Sequence, residues 1–197
     1  ELNQTVEDYK ASLDNALQEA NHVSELSTAL LDFARANYDI SQIKLSDLRI
    51  DEVLVDAKLN LLNKKDVKYK IGISYSDLDP TDANFYTYFG NPYLLQIAFS
   101  NIMENACKYS ADQYCHIEIK ASAEKIILIF SDNGIGIPAS DLEHIYDLFY
   151  RGKNKSYQNG YGVGLSIVKQ IVSLHKSTID VSSEVGKGSI FTITLLS

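Results

Sequence analysis

The sequence has no tryptophan, one methionine, three prolines and two cysteines among 197 residues. Cys107 and Cys115 match no metal-ligand spacing and need not pair, so they read as reduced thiols in a cytosolic setting. Basic residues are outnumbered, 18 against 26 acidic, and the net charge of −8 argues against non-specific attachment to nucleic acid or to an anionic membrane. No apolar run approaches the roughly 18 residues of a membrane span. The opening Glu1-Leu2-Asn3-Gln4 has neither the basic nor the apolar region of a signal peptide. It also lacks an initiator methionine, so the chain reads as a fragment of something longer, which leaves room for a membrane anchor outside it. No internal repeat or low-complexity stretch is visible. What is present is a hydrophobic content of 45%, enough for a real core. The length fits one domain with a substantial appendage, or two small domains.

Residues 1 to 38 contain no glycine and no proline. Leu2, Val6, Tyr9, Leu13, Ala16, Ala20, Val23, Ser27, Leu30 and Ala34 are spaced alternately four and three, which is a heptad seam with one polar position. A single helix with so wide an apolar face is not stable alone in water. It is expected to assemble with a partner helix, from another copy or from a segment outside this chain, although an ordinary core helix packed on the domain behind it would use the same residues. Beyond the seam, residues 44–50 predict a short strand and Asp51 a helix cap for 52–63. Val67, Tyr69, Ile71, Ile73 and Tyr75 alternate as a half-buried strand. Residues 85–89 form a short aromatic strand. Gly90-Asn91-Pro92 starts a helix that runs to about Tyr109, with Asn at the cap and Pro at the first position. Ile117, Ile119 and Ala121 alternate, and a turn at 122–124 makes a hairpin with the run Ile126-Ile127-Leu128-Ile129-Phe130. Ser140 is a cap for a short helix, 147–160 a loop and 165–174 a helix. Strands at 177–183 and 190–196 flank a turn at 184–188.

Three stretches carry chemistry. The buried run ends in Asp132-Asn133-Gly134-Ile135-Gly136-Ile137-Pro138. A carboxylate at the end of a buried strand, facing a glycine loop that another molecule can approach closely, suits a bound ring amine. A plain turn would use the same residues. Asn101 and Asn105 stand four apart and share a helix face, with Lys108 near it. An Asn carbonyl oxygen can ligate Mg²⁺, and Lys108 can neutralise a phosphate, although a solvated face would look the same. Gly160-Tyr161-Gly162-Val163-Gly164 before a helix points backbone N–H groups at an anion. It is neither a Walker A loop nor a dinucleotide fingerprint. Arg151, Lys153 and Lys155 precede it, which predicts a cationic lid over a polyphosphate.

Taken in order, these stretches resemble the ATP-binding domain of sensor histidine kinases, within the superfamily that includes gyrase, the Hsp90 chaperones and MutL. Residues 101–110 resemble the asparagine box and 132–137 the first glycine box. Residues 147–152 resemble the phenylalanine box, 160–168 the second glycine box, and Gly186-Lys187-Gly188-Ser189-Ile190-Phe191 the closing one. The resemblance implies an α+β fold, a two-layer α/β sandwich of the Bergerat type: a mixed sheet with helices on one face, preceded by the long N-terminal helix. It implies ATP and Mg²⁺ as ligands. Asp132 would bind the adenine amino group, with Ser189 near it where the family often has Thr. Asn105 would ligate Mg²⁺ with Asn101 in support. Lys108, Arg151 and the backbone of Gly162, Gly164 and Leu165 would hold phosphates. Tyr109, Gly134, Gly136, Ile137, Phe149 and Gly160 complete the implied set. The superfamily's ATPases place a glutamate four residues before the metal Asn. Here that position is Asn101, which is no base at neutral pH, so slow hydrolysis is implied.

The N-terminal stretch resembles the second helix of the dimerisation and phosphoacceptor hairpin, carried by Ala20-Asn21-His22-Val23-Ser24-Glu25-Leu26 and Ala29-Leu30-Leu31-Asp32-Phe33-Ala34-Arg35. No acceptor-histidine pattern exists: His22 has no following acid and no proline downstream, and His116, His144 and His175 lie inside the ATP-binding part. The expected layout is therefore residues 1–43 as a partial hairpin domain and 44–197 as the catalytic domain of a cytoplasmic kinase portion. The implied partners are a response regulator, the absent acceptor helix and a second copy. A nucleotide-binding scaffold and an ATPase of the chaperone and topoisomerase type are the other two readings.

Overall fold

The computed structural model describes residues 9, 13, 27, 31, 44–64, 67–76, 86–122, 124–152 and 162–196. The predicted N-terminal helix, apart from the single positions Tyr9, Leu13, Ser27 and Leu31, lies outside the described residues, as do Phe85 and most of the connection before it.

The elements follow the predicted order. A short strand β1 (Ser46–Arg49) leads directly into helix α1 (Ile50–Leu62), followed by β2 (Lys70–Ser76) and β3 (Thr87–Gly90). Helix α2 (Pro92–Tyr109) precedes the hairpin β4 (Tyr114–Ala121) and β5 (Lys125–Asp132). A one-turn helix α3 (Ala139–Leu142), helix α4 (Gly164–Leu174) and the hairpin β6 (Thr178–Glu184) and β7 (Gly188–Leu196) complete the chain. Five strands form one mixed sheet in the order β2-β4-β5-β7-β6, with β2 parallel to β4 and the other pairs antiparallel. The aromatic strand β3 does not join it. It pairs with β1 in a separate antiparallel ribbon.

Strand alternation decides which face is covered. On β4, β5 and β7 the buried set is Cys115, Ile117, Ile119, Ile126, Leu128, Phe130, Phe191, Ile193 and Leu195. The alternate residues, such as His116, Glu118, Ile127, Ile129 and Thr192, stay half-exposed. The covered face meets Leu95, Phe99, Ile102 and Met103 of α2 and Val168, Ile171 and Val172 of α4, and α2 in turn packs on α1. Phe99 lies 6.1 Å from Phe130, ring centre to ring centre. This is the expected two-layer sandwich.

Two capping expectations need correction. Asn91 caps α2 as predicted, its Oδ1 accepting the Leu94 N–H at 2.9 Å. Asp51 does not cap α1, which begins one residue earlier, after Arg49. Asp51 sits in its first turn and takes the Arg49 guanidinium at 2.7 Å, an ion pair that outcompetes the backbone for the carboxylate. Ser140 likewise lies inside α3, which Pro138 precedes, and its hydroxyl donates to Asp141. Among the described residues no helix is long and apolar enough to cross a membrane.

Candidate functional site

The even-numbered residues of β5 face the core, so the alternation that buries Ile126, Leu128 and Phe130 carries Asp132 to the same face at the strand's end. Asp132 is 9% exposed. Its Oδ1 accepts the Gly134 N–H at 2.8 Å. Burial raises its pKa above the ordinary carboxylate value, opposed by the backbone N–H groups of Gly134 and Ser189. In register across β7 stands Ser189, also buried, and across β6 Ser183. Ser183 Oγ accepts the Ile137 N–H at 2.8 Å and donates to the Gly188 carbonyl at 2.9 Å. Its one proton is thereby used, so the Ser189 hydroxyl donates to it, at 2.9 Å. Ser189 keeps acceptor capacity beside Asp132. Sequence reasoning missed Ser183, although its parity on the predicted strand places it on the covered face.

The glycine loop after Asp132 is wedged between α2 and the β6–β7 turn. Ile135 donates to the Tyr109 carbonyl at 3.1 Å and accepts from Gly186 N–H at 2.9 Å. A Cβ at Gly134 would stand 2.3 Å from the Tyr109 oxygen, so only glycine fits. Ile137 packs against the core, and Tyr109 and Phe149 are exposed.

Helix α2 brings Asn101 to the start of α4. Asn101 Nδ2 donates to the Ile97 carbonyl at 2.9 Å, which turns Oδ1 toward Gly164; a Cβ there would lie 2.6 Å from it. Among the described residues no side chain caps the first turn of helix α4, the kind of helix start whose N–H groups take an anion. Gly162 is tied to the phenylalanine-box stretch by its carbonyl, which accepts the Phe149 N–H at 2.9 Å. Arg151 follows and is exposed. Gly160, with Tyr161, Lys153 and Lys155 of the expected lid, lies outside the described residues.

Asn105, one turn after Asn101 on α2, is half-buried. Lys108 pairs with a neighbour on its own helix. Its ammonium sits 2.7 Å from Glu104, whose other oxygen holds Lys64 at 2.9 Å. Burial pushes the Glu104 carboxyl upward, but Lys108 and Lys64 outweigh it and hold the pKa below the ordinary value. Among the described residues no group of three or more His, Cys, Asp or Glu could hold a metal.

Residues 90–197 match the family model described as histidine kinase-, DNA gyrase B- and HSP90-like ATPase. The chain belongs to that family. Among its relatives in this ATPase family, the heme sensor protein HssS of Staphylococcus saprophyticus is 34% identical over 194 residues, covering 93% of this chain and 40% of that one. The sensor protein CiaH of Streptococcus pneumoniae is 31% identical over 196 residues, covering 97% and 42%. The chain thus spans less than half the length of these relatives. Among solved structures, full-length ShkA in complex with AMPPNP superposes with a TM-score of 0.69 at 23% identity, over 98% of this chain and 40% of that one. The mycobacterial sensor histidine kinase MprB gives 0.65 at 20%, over 77% of this chain and 97% of that one. At these identities the likeness is one of fold: the two-layer sandwich is that of histidine kinase catalytic domains.

Proposed function

We propose that this chain is the ATP-handling portion of a sensor histidine kinase. In the whole protein it would transfer the ATP γ-phosphoryl group to a histidine on a helix outside this sequence, for relay to a response-regulator aspartate. The observation that carries the reading is the juxtaposition of a buried carboxylate, a glycine loop and an uncapped helix N-terminus around one helix, α2. Asp132 and Ser189, as adjacent acceptors at the end of an apolar row, suit the amino group of adenine, whose ring the covered face would shelter. The first turn of α4 suits the phosphates, with Arg151 as a further cation. The donor set fits Mg²⁺: with no carboxylate cage among the described residues, a half-buried amide oxygen at Asn105 and shared phosphate oxygens match an ion that keeps few protein ligands. Bound there, the ion would neutralise phosphate charge. The chain's own part is to orient the nucleotide and exclude water.

Asn101 argues against a stand-alone ATPase. The residue four before Asn105 is an amide directed at Ile97 and Gly164, not a base aimed at water. The N-terminal heptad seam supports pairing with a second copy, and this portion would lie in the cytoplasm of a protein that a membrane segment outside this sequence would anchor. Calorimetric titration with Mg·ATP, alongside Asp132→Asn, tests the reading. Binding by the wild type that the substitution abolishes without unfolding is expected. Unchanged affinity in the variant would sink the adenine assignment.

A further inference from the structure

The ion pair on Glu104 gives Lys108 two possible destinations. At about 100° per residue, Glu104, Lys108, Asn101 and Asn105 lie at roughly −60°, −20°, 0° and +40° around α2. The Lys108 stem therefore rises between Glu104 on one flank and the asparagine face on the other. One swing of a flexible four-carbon stem carries the ammonium from the carboxylate to a phosphate held over Asn101 and Asn105. In this structure it sits on Glu104, 2.7 Å away, with both side chains 25% exposed. Leaving a half-buried carboxylate without a counter-charge is costly. Glu104 has a second cation: Lys64, just past the end of α1, holds the other carboxylate oxygen at 2.9 Å and is 55% exposed.

We propose that Glu104 and Lys64 are positioning residues that set how readily Lys108 reaches nucleotide phosphates: Glu104 holds the ammonium back, and Lys64 keeps Glu104 neutralised when the ammonium leaves. The inference rests on the nucleotide reading above. It assigns a role in phosphate affinity to Lys64, a lysine just past the end of α1 and outside the site, and it predicts opposite signs for two substitutions at one ion-pair network.

Mg·ATP affinity of the 197-residue chain is measured by calorimetry. Glu104→Gln frees Lys108 and tightens binding, and Lys64→Ala leaves Glu104 to Lys108 and weakens it, each by about fivefold for a partly buried pair. In a Lys108→Ala background both effects disappear. Melting temperature is followed in parallel; if Lys64→Ala lowers it, Lys64→Gln keeps the stem and must show the same sign. Effects of the same sign, effects that persist without Lys108, or no effect at all would overturn the proposal while leaving the site intact. Failure of the wild type to bind Mg·ATP would overturn the nucleotide reading and this inference with it.

Discussion

His175 shows how one residue can join the two helices that frame the site. It follows the last residue of α4, and its ring is buried. Nδ1 lies 2.8 Å from the Ile171 carbonyl and must donate; Nε2 accepts the Asn91 N–H at 3.0 Å. This fixes the neutral tautomer, and Tyr88 donates to the His175 carbonyl at 2.9 Å. Burial lowers the pKa below the ordinary 6.5, against the opposing bond to Ile171. The unfolded chain then binds a proton that the folded chain refuses, in the window from 6.5 down to the folded value. Stability from this group is full above that window and falls as pH drops through it. Urea midpoints at pH 7.5 and 5.5 should show the loss, and His175→Phe should flatten it. At neutral pH that variant should cost about 1 kcal/mol, because the part-buried Asn91 N–H loses its partner. Asp132 acts at the same scale with the other sign of charge. Its raised pKa predicts that Mg·ATP affinity begins to fall on acidification earlier than an ordinary carboxylate would cause, as a pH series of titrations would show.

At the scale of elements, the site depends on how α2 and α4 start and where they touch. Asn91 caps α2 and also donates to the Lys44 carbonyl at 3.0 Å. Asn91→Ala should cost about 1 kcal/mol in thermal or urea unfolding. Gly164→Ala tests the crossing of the two helices. Its methyl would meet Asn101 Oδ1 at 2.6 Å and displace the first turn of α4, so Mg·ATP affinity should fall about tenfold while the fold survives. An unchanged affinity would detach that turn from phosphate binding. The caps explain where reading by pattern succeeds. Asn91-Pro92 is a local signal, and the structure follows it. Asp51 and Ser140 have the right residue types, but Arg49 and Asp141 are better partners for them than the backbone, and a propensity for caps does not weigh such competitors.

Across the whole molecule, every site residue that the structure describes comes from elements after Lys44. A chain shortened to residues 44–197 should therefore bind Mg·ATP as the full chain does, in side-by-side titrations. Weaker binding would give residues 1–43 a part in the site. Neither chain should turn over ATP appreciably alone, a point that a phosphate-release assay checks.

The sequence by itself determined the succession of strands and helices, because period-two and helical apolar spacing record which side of each element is buried. It also marked the residues of the candidate site, since glycine loops and paired amides on one helix are local patterns. Only the tertiary structure decided what depends on neighbours distant in the chain. It put the aromatic strand β3 in a ribbon with β1 rather than in the main sheet. It aligned Ser183 and Ser189 beside Asp132 through strand register, and it turned Asn101 toward Gly164. It also brought Lys64 to the Glu104 carboxylate, forty residues away in the chain. Register, helix crossing and charge pairing are set by which surfaces bury most together, and one-dimensional spacing carries no record of that choice.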